Sequence, residues 1–264
     1  RHPPLPDRLS VPSPAVLAIA DYARAIGGLR TREEGATMPE DHVCSGAVDG
    51  CTSRVQSRGD ACATCAERYA RELRVMSLAR VRASLPVGWD HAASHPIRSE
   101  LQRIATSWAR AHGNLLLCGG TGAGKTSACV ALVQRMIRRA EATATPAPDV
   151  AFVARARFVS WPAILEGDRQ QALGKGEARA TKQAVRASLL ILDEVGIDAD
   201  RRSPTLLRYI IDERSRDATK RTIVTTGLTR ADLEAKFDPS IARKIIGPTG
   251  ECLQVFDANT RKPA

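Results

Sequence analysis

Short apolar runs separated by helical spacing dominate the later part of the chain, and the early part shows little of either. Leu115-Leu116-Leu117-Cys118 is one such run, and it stops at glycines. Others stand at 150–153, 189–192, 223–226 and 252–256. Runs this short, bounded by turn residues, predict strands buried on both faces. Strands alternating with helices predict an α/β fold, a parallel sheet with helices on both sides. Before residue 115 the pattern is sparser. Pro3, Pro4, Pro6, Pro12 and Pro14 predict an extended lead-in. Residues 15–26 have helical spacing and stop at Gly27-Gly28. Residues 66–84 place Tyr69, Leu73, Met76, Leu78 and Val81 on one side of an amphipathic helix, which Pro86 ends. Residues 86–97 hold Pro86, Gly88 and Pro96 and read as a linker, so two domains are expected, 1–85 and 86–264. A further helix is expected over 98–111, with Leu101, Ile104 and Trp108 inward.

Composition narrows the class. At 43% hydrophobic the 264 residues can bury a core, and at 4% aromatic that core must be aliphatic. No apolar run reaches the length of a membrane span, and Arg1 to Pro6 carries no apolar signal region, so a cytoplasmic protein is expected. Lys plus Arg number 39 against 29 Asp plus Glu, a net charge of +10, which suits a polyanionic partner. The excess is local: residues 66–140 hold twelve Lys or Arg against four acids. Arg169, Lys175, Arg179, Lys182 and Arg186 form a second cluster. With few aromatics among them, phosphate tracking is expected more than base stacking.

The chemistry sits at the first run. Gly119-Gly120-Thr121-Gly122-Ala123-Gly124-Lys125-Thr126 satisfies G-x-x-x-x-G-K-[ST] between a predicted strand and a predicted helix. Glycines let backbone N–H groups turn toward phosphates, and the helix N-terminus adds partial positive charge. Lys125 would reach the β- and γ-phosphates of ATP, Thr126 would ligate Mg²⁺, and Ser127 completes the cradle. The run at 189–192 ends in Asp193-Glu194, two carboxylates at the strand edge where α/β sheets bind ligands. Asp193 would hold Mg²⁺ through water, and Glu194 would act as general base on the attacking water. In ATPases with this paired acid, an intervening strand carries a polar sensor, a role open to Thr225 or Thr226.

Together the P-loop, the 189–194 segment, Thr225-Thr226 and the short tail resemble the AAA+ helicase-loader and transposition-regulator clade, the DnaC, DnaI and IstB-like ATPases. Leu85-Pro86, the segment from Arg208 to Arg214 and Ser240-Ile241-Ala242-Arg243 add to the likeness. The resemblance implies a P-loop NTPase with an AAA+ core and no C-terminal lid. It implies a homo-oligomeric ring or spiral in which Arg243 acts on the neighbour's nucleotide, although a surface Arg would fit that position too. It also implies that the second basic cluster faces DNA. Where the clade carries Asn after its paired Thr, this chain has Gly227, which predicts slow turnover.

Cys44, Cys51, Cys62 and Cys65 lie within a short, glycine-containing segment and offer four thiolates for Zn²⁺. His42 is an alternative ligand. A metal would stabilise a segment too small to fold on apolar burial. Cys118, Cys129 and Cys252 stand in apolar surroundings and read as core residues. The expectation is therefore a small N-terminal zinc-binding helical domain joined to an ATPase core. It would hydrolyse ATP, assemble on DNA, and load a replicative helicase. Recruitment of a transposase and an ATP-gated DNA scaffold with little turnover remain the alternatives.

Overall fold

The computed structural model describes residues 42–43, 51, 54–55, 62–86, 101, 103–104, 108, 113–143, 152–171, 176–198, 200–247 and 250–255. The predicted helix at 15–26, most of the predicted linker, and Cys44 lie outside the described residues. The chain forms two compact units. One is Arg1–Met76 with Thr143–Ala151, and the other is Ser77–Ala142 with Phe152–Ala264.

In the first unit β1 (His42–Val43) pairs antiparallel with β2 (Arg54–Val55). The helix α1 (Ala63–Ala83) begins here and continues into the second unit. Leu78 and Val81 are buried on it and Leu73 is half-buried, as the spacing predicts, but Tyr69 and Met76 are exposed, so the apolar side is covered only toward the helix's C-terminal end.

The second unit is built on β3 (Leu115–Gly119), β4 (Arg157–Ser160), β5 (Leu189–Val195), β6 (Arg221–Thr226) and β7 (Glu251–Val255). All pairings are parallel, in the order β4-β5-β6-β3-β7. Parallel strands need crossovers, supplied here by α2 (Lys125–Ala142), α3 (Trp161–Gln170), α4 (Arg179–Arg186), α5 (Ser203–Ser215), α6 (Arg230–Phe237) and α7 (Pro239–Ile246). β3 is buried along its whole length, and only Glu194 is exposed in β5. This is why both appear in the sequence as unbroken apolar runs. Leu101, Ile104 and Trp108 are buried as expected, and Leu101 and Ile104 are helical.

One predicted strand is displaced. Residues 152–154 form a helical turn, and the strand lies at Arg157–Ser160. Phe152, Val153 and Ala154 are all buried, so the apolar run is real, but a short run does not distinguish strand from helix. β4 is an edge strand in which only Phe158 is buried, which leaves a weaker sequence signal.

At the N-terminal edge of the sheet, loops are tied to one another by backbone bonds from Ser188 N to Arg155 O and from Arg221 N to Ser188 O. Asn114 continues the tie, its Oδ1 accepting from Thr222 N and its carbonyl from Glu251 N. Arg214, 3% exposed, anchors the region from α5. Its guanidinium donates to Thr222 Oγ1 (2.9 Å) and to the carbonyls of Ala184 (2.8 Å), Ala187 (2.6 Å) and Arg221 (2.6 Å). Burial pushes its pKa down to about 9, which leaves it a cation at neutral pH. Five planar donors suit a site where several buried carbonyls converge. Arg214→Ala should therefore cost about 3 kcal/mol or more in urea unfolding, because it orphans those carbonyls. A loss under about 1 kcal/mol would show that water replaces the side chain without penalty.

Candidate active site and candidate metal centre

Where β3 ends, Gly120 to Gly124 turn the chain and α2 begins at Lys125. Gly122 and Gly124 have φ of +81° and +89°, left-handed values that a side chain would strain. Successive N–H groups in such a turn, leading into a helix N-terminus, make a phosphate cradle. Residues Gly119, Gly120, Thr121, Gly122, Ala123, Gly124, Lys125, Thr126 and Ser127 all fall on this strand end, turn and first helical turn. Lys125 Nζ donates to Gly119 O (2.7 Å) and Gly120 O (2.9 Å). Burial pulls the Lys125 pKa down, and the carboxylates of Asp193 and Glu194 oppose that pull.

β6 lies between β3 and β5, so the paired acids stand one strand away from the P-loop strand. Asp193 is buried, and Thr126 Oγ1 donates to both its oxygens, at 3.0 and 3.1 Å. Thr225 Oγ1 donates to Asp193 Oδ1 at 2.5 Å and accepts from Glu194 N at 3.0 Å. The register explains how one hydroxyl meets both residues. Leu192 pairs with Val224 and Val195 with Thr226, so Asp193 and Glu194 together face the single residue Thr225 in a β-bulge. Glu194 takes φ of 64°, and its side chain is exposed beside the buried Asp193. A non-glycine residue in that region is held there by its surroundings, here the Thr225 bond.

Thr226 sits elsewhere, with its hydroxyl accepting from Leu228 N at 3.1 Å. Gly227 has open space around it. Arg243 is exposed on α7, and its side chain makes no hydrogen bond or ion pair among the described residues. The P-loop and the acids are thus brought together, and Arg243 is presented outward.

Some supporting residues carry no motif. Lys236 of α6 donates to the carbonyls of Gly196 (2.6 Å) and Asp198, which fixes the turn that follows Glu194. Trp161 Nε1 reaches Asp198 Oδ2 (2.9 Å) in the same turn and Ser203 Oγ (3.0 Å) at the start of α5. Gly196 has φ of +92°, and a Cβ there would meet Leu228 Cδ1 at 2.7 Å. That glycine is the only sequence signal for the turn, because the other partners come from distant helices.

In the first unit Cys51, Cys62 and Cys65 have Sγ atoms within 4.8 Å of one another, with Cys51 and Cys62 at 3.6 Å. Tetrahedral zinc with Zn–S bonds of about 2.3 Å would place sulfurs about 3.8 Å apart, so the three thiols fit that ion. Of the other cysteines, Cys118 and Cys129 are wholly buried. Burial pushes Cys118 up to about 12 and raises Cys129 well above the ordinary thiol range, so both are unreactive packing residues.

A five-stranded parallel sheet, a P-loop, and an acid pair on a strand beyond an intervening one define a P-loop ATP-binding protein of AAA+ type. The model of the family described as IstB-like ATP binding protein matches residues 61–247, and the chain belongs to that family. Among solved structures, the crystal structure of the DnaC helicase loader is 17% identical with a TM-score of 0.47, covering 64% of this chain and 99% of that one. AMPPCP-bound DnaA from Aquifex aeolicus is 14% identical with a TM-score of 0.47, over 65% of this chain and 51% of that one. The crystal structure of DnaI is 15% identical with a TM-score of 0.42, over 72% and 93%. No curated protein matches.

The Thr225 geometry yields a test. Thr225→Val keeps the shape but removes both hydrogen bonds, so it should lower kcat for ATP about tenfold or more and leave nucleotide affinity within about threefold. Thr225→Ser should restore most of the turnover. Equal kcat for all three proteins would show that the hydroxyl positions nothing.

Proposed function

We propose that the protein hydrolyses ATP at a site completed by a neighbouring copy, and that it uses this reaction to engage and release a partner on DNA. The observation that supports this most is the cluster of Thr126, Asp193, Thr225 and Glu194 at the mouth of the P-loop. Lys125 and the P-loop amides bind the β- and γ-phosphates. Thr126 and Asp193, already side by side, are the residues that would hold Mg²⁺, which neutralises charge on the phosphates. Glu194 accepts the proton of the attacking water, and Thr225 holds the Asp193 carboxylate and the Glu194 backbone in place from behind. Of the two threonines open to the sensor role, Thr225 is favoured by its bonds and Thr226 is not. Arg243, exposed on α7, reaches the nucleotide of an adjacent copy and stabilises charge on the transferring phosphoryl group.

Membership of an ATP-binding family supports the nucleotide part of this reading. For the client, a replicative helicase is the first reading and a transposase the alternative. Identifying which of the two co-purifies with the full chain separates them. Among the described residues no helix is long and apolar enough to cross a membrane. The 1–85 module would be held by zinc on Cys51, Cys62 and Cys65, with Cys44 as the fourth ligand.

Two measurements check the reading. Glu194→Gln and Arg243→Ala should each be inactive alone, yet a mixture should recover turnover, because sites with an intact Glu194 and an intact neighbouring Arg243 form at random. A mixture as inactive as its parts would exclude action in trans. Tag-free protein should contain one zinc per chain, and chelation should lower its melting temperature. Zinc far below one per chain would remove the metal from the account.

A further inference from the structure

The edge of the sheet away from the nucleotide site holds a cavity of about 320 Å³. Its lining comes from the C-terminal ends of α5 and α7, the first residues of β6 and the residues just before β3. Ile211 and Ile246 give it apolar walls. Gly113 and Gly247 line it with bare backbone, at φ of +76° and +67°. Ligand cavities start at about 300 Å³, so this one suits a small molecule. Its charge is lopsided: Arg214, Lys220, Arg221 and Lys244 stand against one acid, Asp217. Asp217 is already committed, its Oδ1 accepting from Thr219 N at 2.9 Å and Thr219 Oγ1 at 2.6 Å. The Thr219 hydroxyl above all holds its pKa below the usual carboxylate range, so it stays an anion tied to its own turn.

Three donor groups in this lining are left over. Asn114 Oδ1 accepts from Thr222 N at 2.8 Å, which fixes the orientation of the amide. Asn114 Nδ2 then makes no hydrogen bond among the described residues, and it stands 3.6 Å from where a Cβ on Gly247 would lie. Lys220 is tucked in, its side chain 18% exposed, yet its ammonium meets Asp217 Oδ2 only at 3.7 Å. That is beyond hydrogen-bond range. Lys244 commits one of its three N–H groups to Asp212 Oδ1 at 2.8 Å. Behind the wall, Arg214 is a buried cation whose hydrogen bonds all go to neutral oxygens. Lysines at helix ends often serve the open carbonyls of the last turn. Here those carbonyls have other partners: Arg214 O accepts from Asp217 N, Asp212 O from Ser215 Oγ, and Arg243 O from Gly247 N. The spare donors are therefore available to a molecule that enters the cavity.

We propose that this cavity binds a small phosphate monoester, with its phosphate on Asn114, Lys220 and Lys244 and its organic part against Ile211 and Ile246. Donors outnumber acceptors in the lining, so the ligand must bring acceptors and negative charge. Two ammonium groups and an amide suit a tetrahedral oxyanion. The flat fork that suits a carboxylate belongs to Arg214 and is already taken by carbonyls. The buried charge of Arg214 adds attraction for an anion. Asn114 and Thr222 lie at the N-terminal ends of β3 and β6, whereas Gly119 and Thr225 lie toward the opposite ends of the same strands. The cavity is thus separate from the P-loop, and the proposal goes beyond the ATPase reading without depending on it.

The test uses the full chain with one equivalent of ADP and Mg²⁺ to occupy the P-loop. Phenyl phosphate is titrated in by calorimetry at about 0.1 M ionic strength. Wild type should bind it with a Kd of about 1 mM or tighter. Lys220→Gln/Lys244→Gln should bind it about tenfold or more weakly, with ADP affinity unchanged. Asn114→Asp keeps an acceptor for Thr222 N but replaces the spare donor with a negative charge, so it should abolish binding. If that variant folds poorly, the lysine pair decides the question. Equal affinity of wild type and variants would overturn the proposal, and so would the absence of binding by wild type at about 10 mM probe. Benzoate binding as tightly as phenyl phosphate would overturn the choice of phosphate. Displacement of the probe by a short DNA strand that needs the same two lysines would overturn the choice of a small ester.

Discussion

Asp193 is a 5% exposed carboxylate, and burying such a group is costly unless hydrogen bonds replace its water. The replacements come from Thr126 at the start of α2 and Thr225 near the end of β6. One side chain thus ties the phosphate-binding helix, the acid-bearing strand and the strand between them. Much else follows from this requirement. β6 must lie beside β5, the bulge must put two β5 residues against Thr225, and Glu194 must accept a left-handed backbone. The backbone of the exposed Glu194 is held by the same hydroxyl that holds the buried Asp193 carboxylate, so the two acids share one support.

The sequence made the ends of this arrangement legible and left its middle obscure. The P-loop and Asp193-Glu194 are visible because their chemistry demands particular residues at adjacent positions, next to strands buried enough to read as apolar runs. Thr225 and Thr226 could not be told apart by type. Only the bulge, a property of register, sends one hydroxyl to Asp193 and the other to Leu228 N. The strand at 157–160 is hidden behind its apolar neighbour, because an edge strand needs less hydrophobicity than the buried turn before it. Lys236 and Trp161 left no trace, and Arg214 showed only as the end of a family-like segment, since each acts through partners far away in the chain. In the N-terminal part the thiol spacing indicated a metal site, and three of the four sulfurs are gathered as that reading requires.

The sheet has two working edges. Strands run parallel, so all their C-terminal ends face the nucleotide site and all their N-terminal ends face the other way. The first edge collects the P-loop, the acid pair and the turn fixed by Lys236. The second is locked by Asn114 and Arg214 and carries Arg155 and Arg157 on its rim. Between them run strands such as β5, which starts beside Ser188, ends at Val195 and is buried except at Glu194. An event at either edge meets the same shared strands.

The central claim is that ATP is cleaved at Glu194, not merely held by the P-loop. Phosphate release from ATP with Mg²⁺, followed at steady state with and without DNA for the wild type and Glu194→Gln, tests it most directly. Wild type should release phosphate slowly but measurably, and the variant should fall by about a hundredfold or more with ATP still bound. Release at the same rate from both proteins would contradict it.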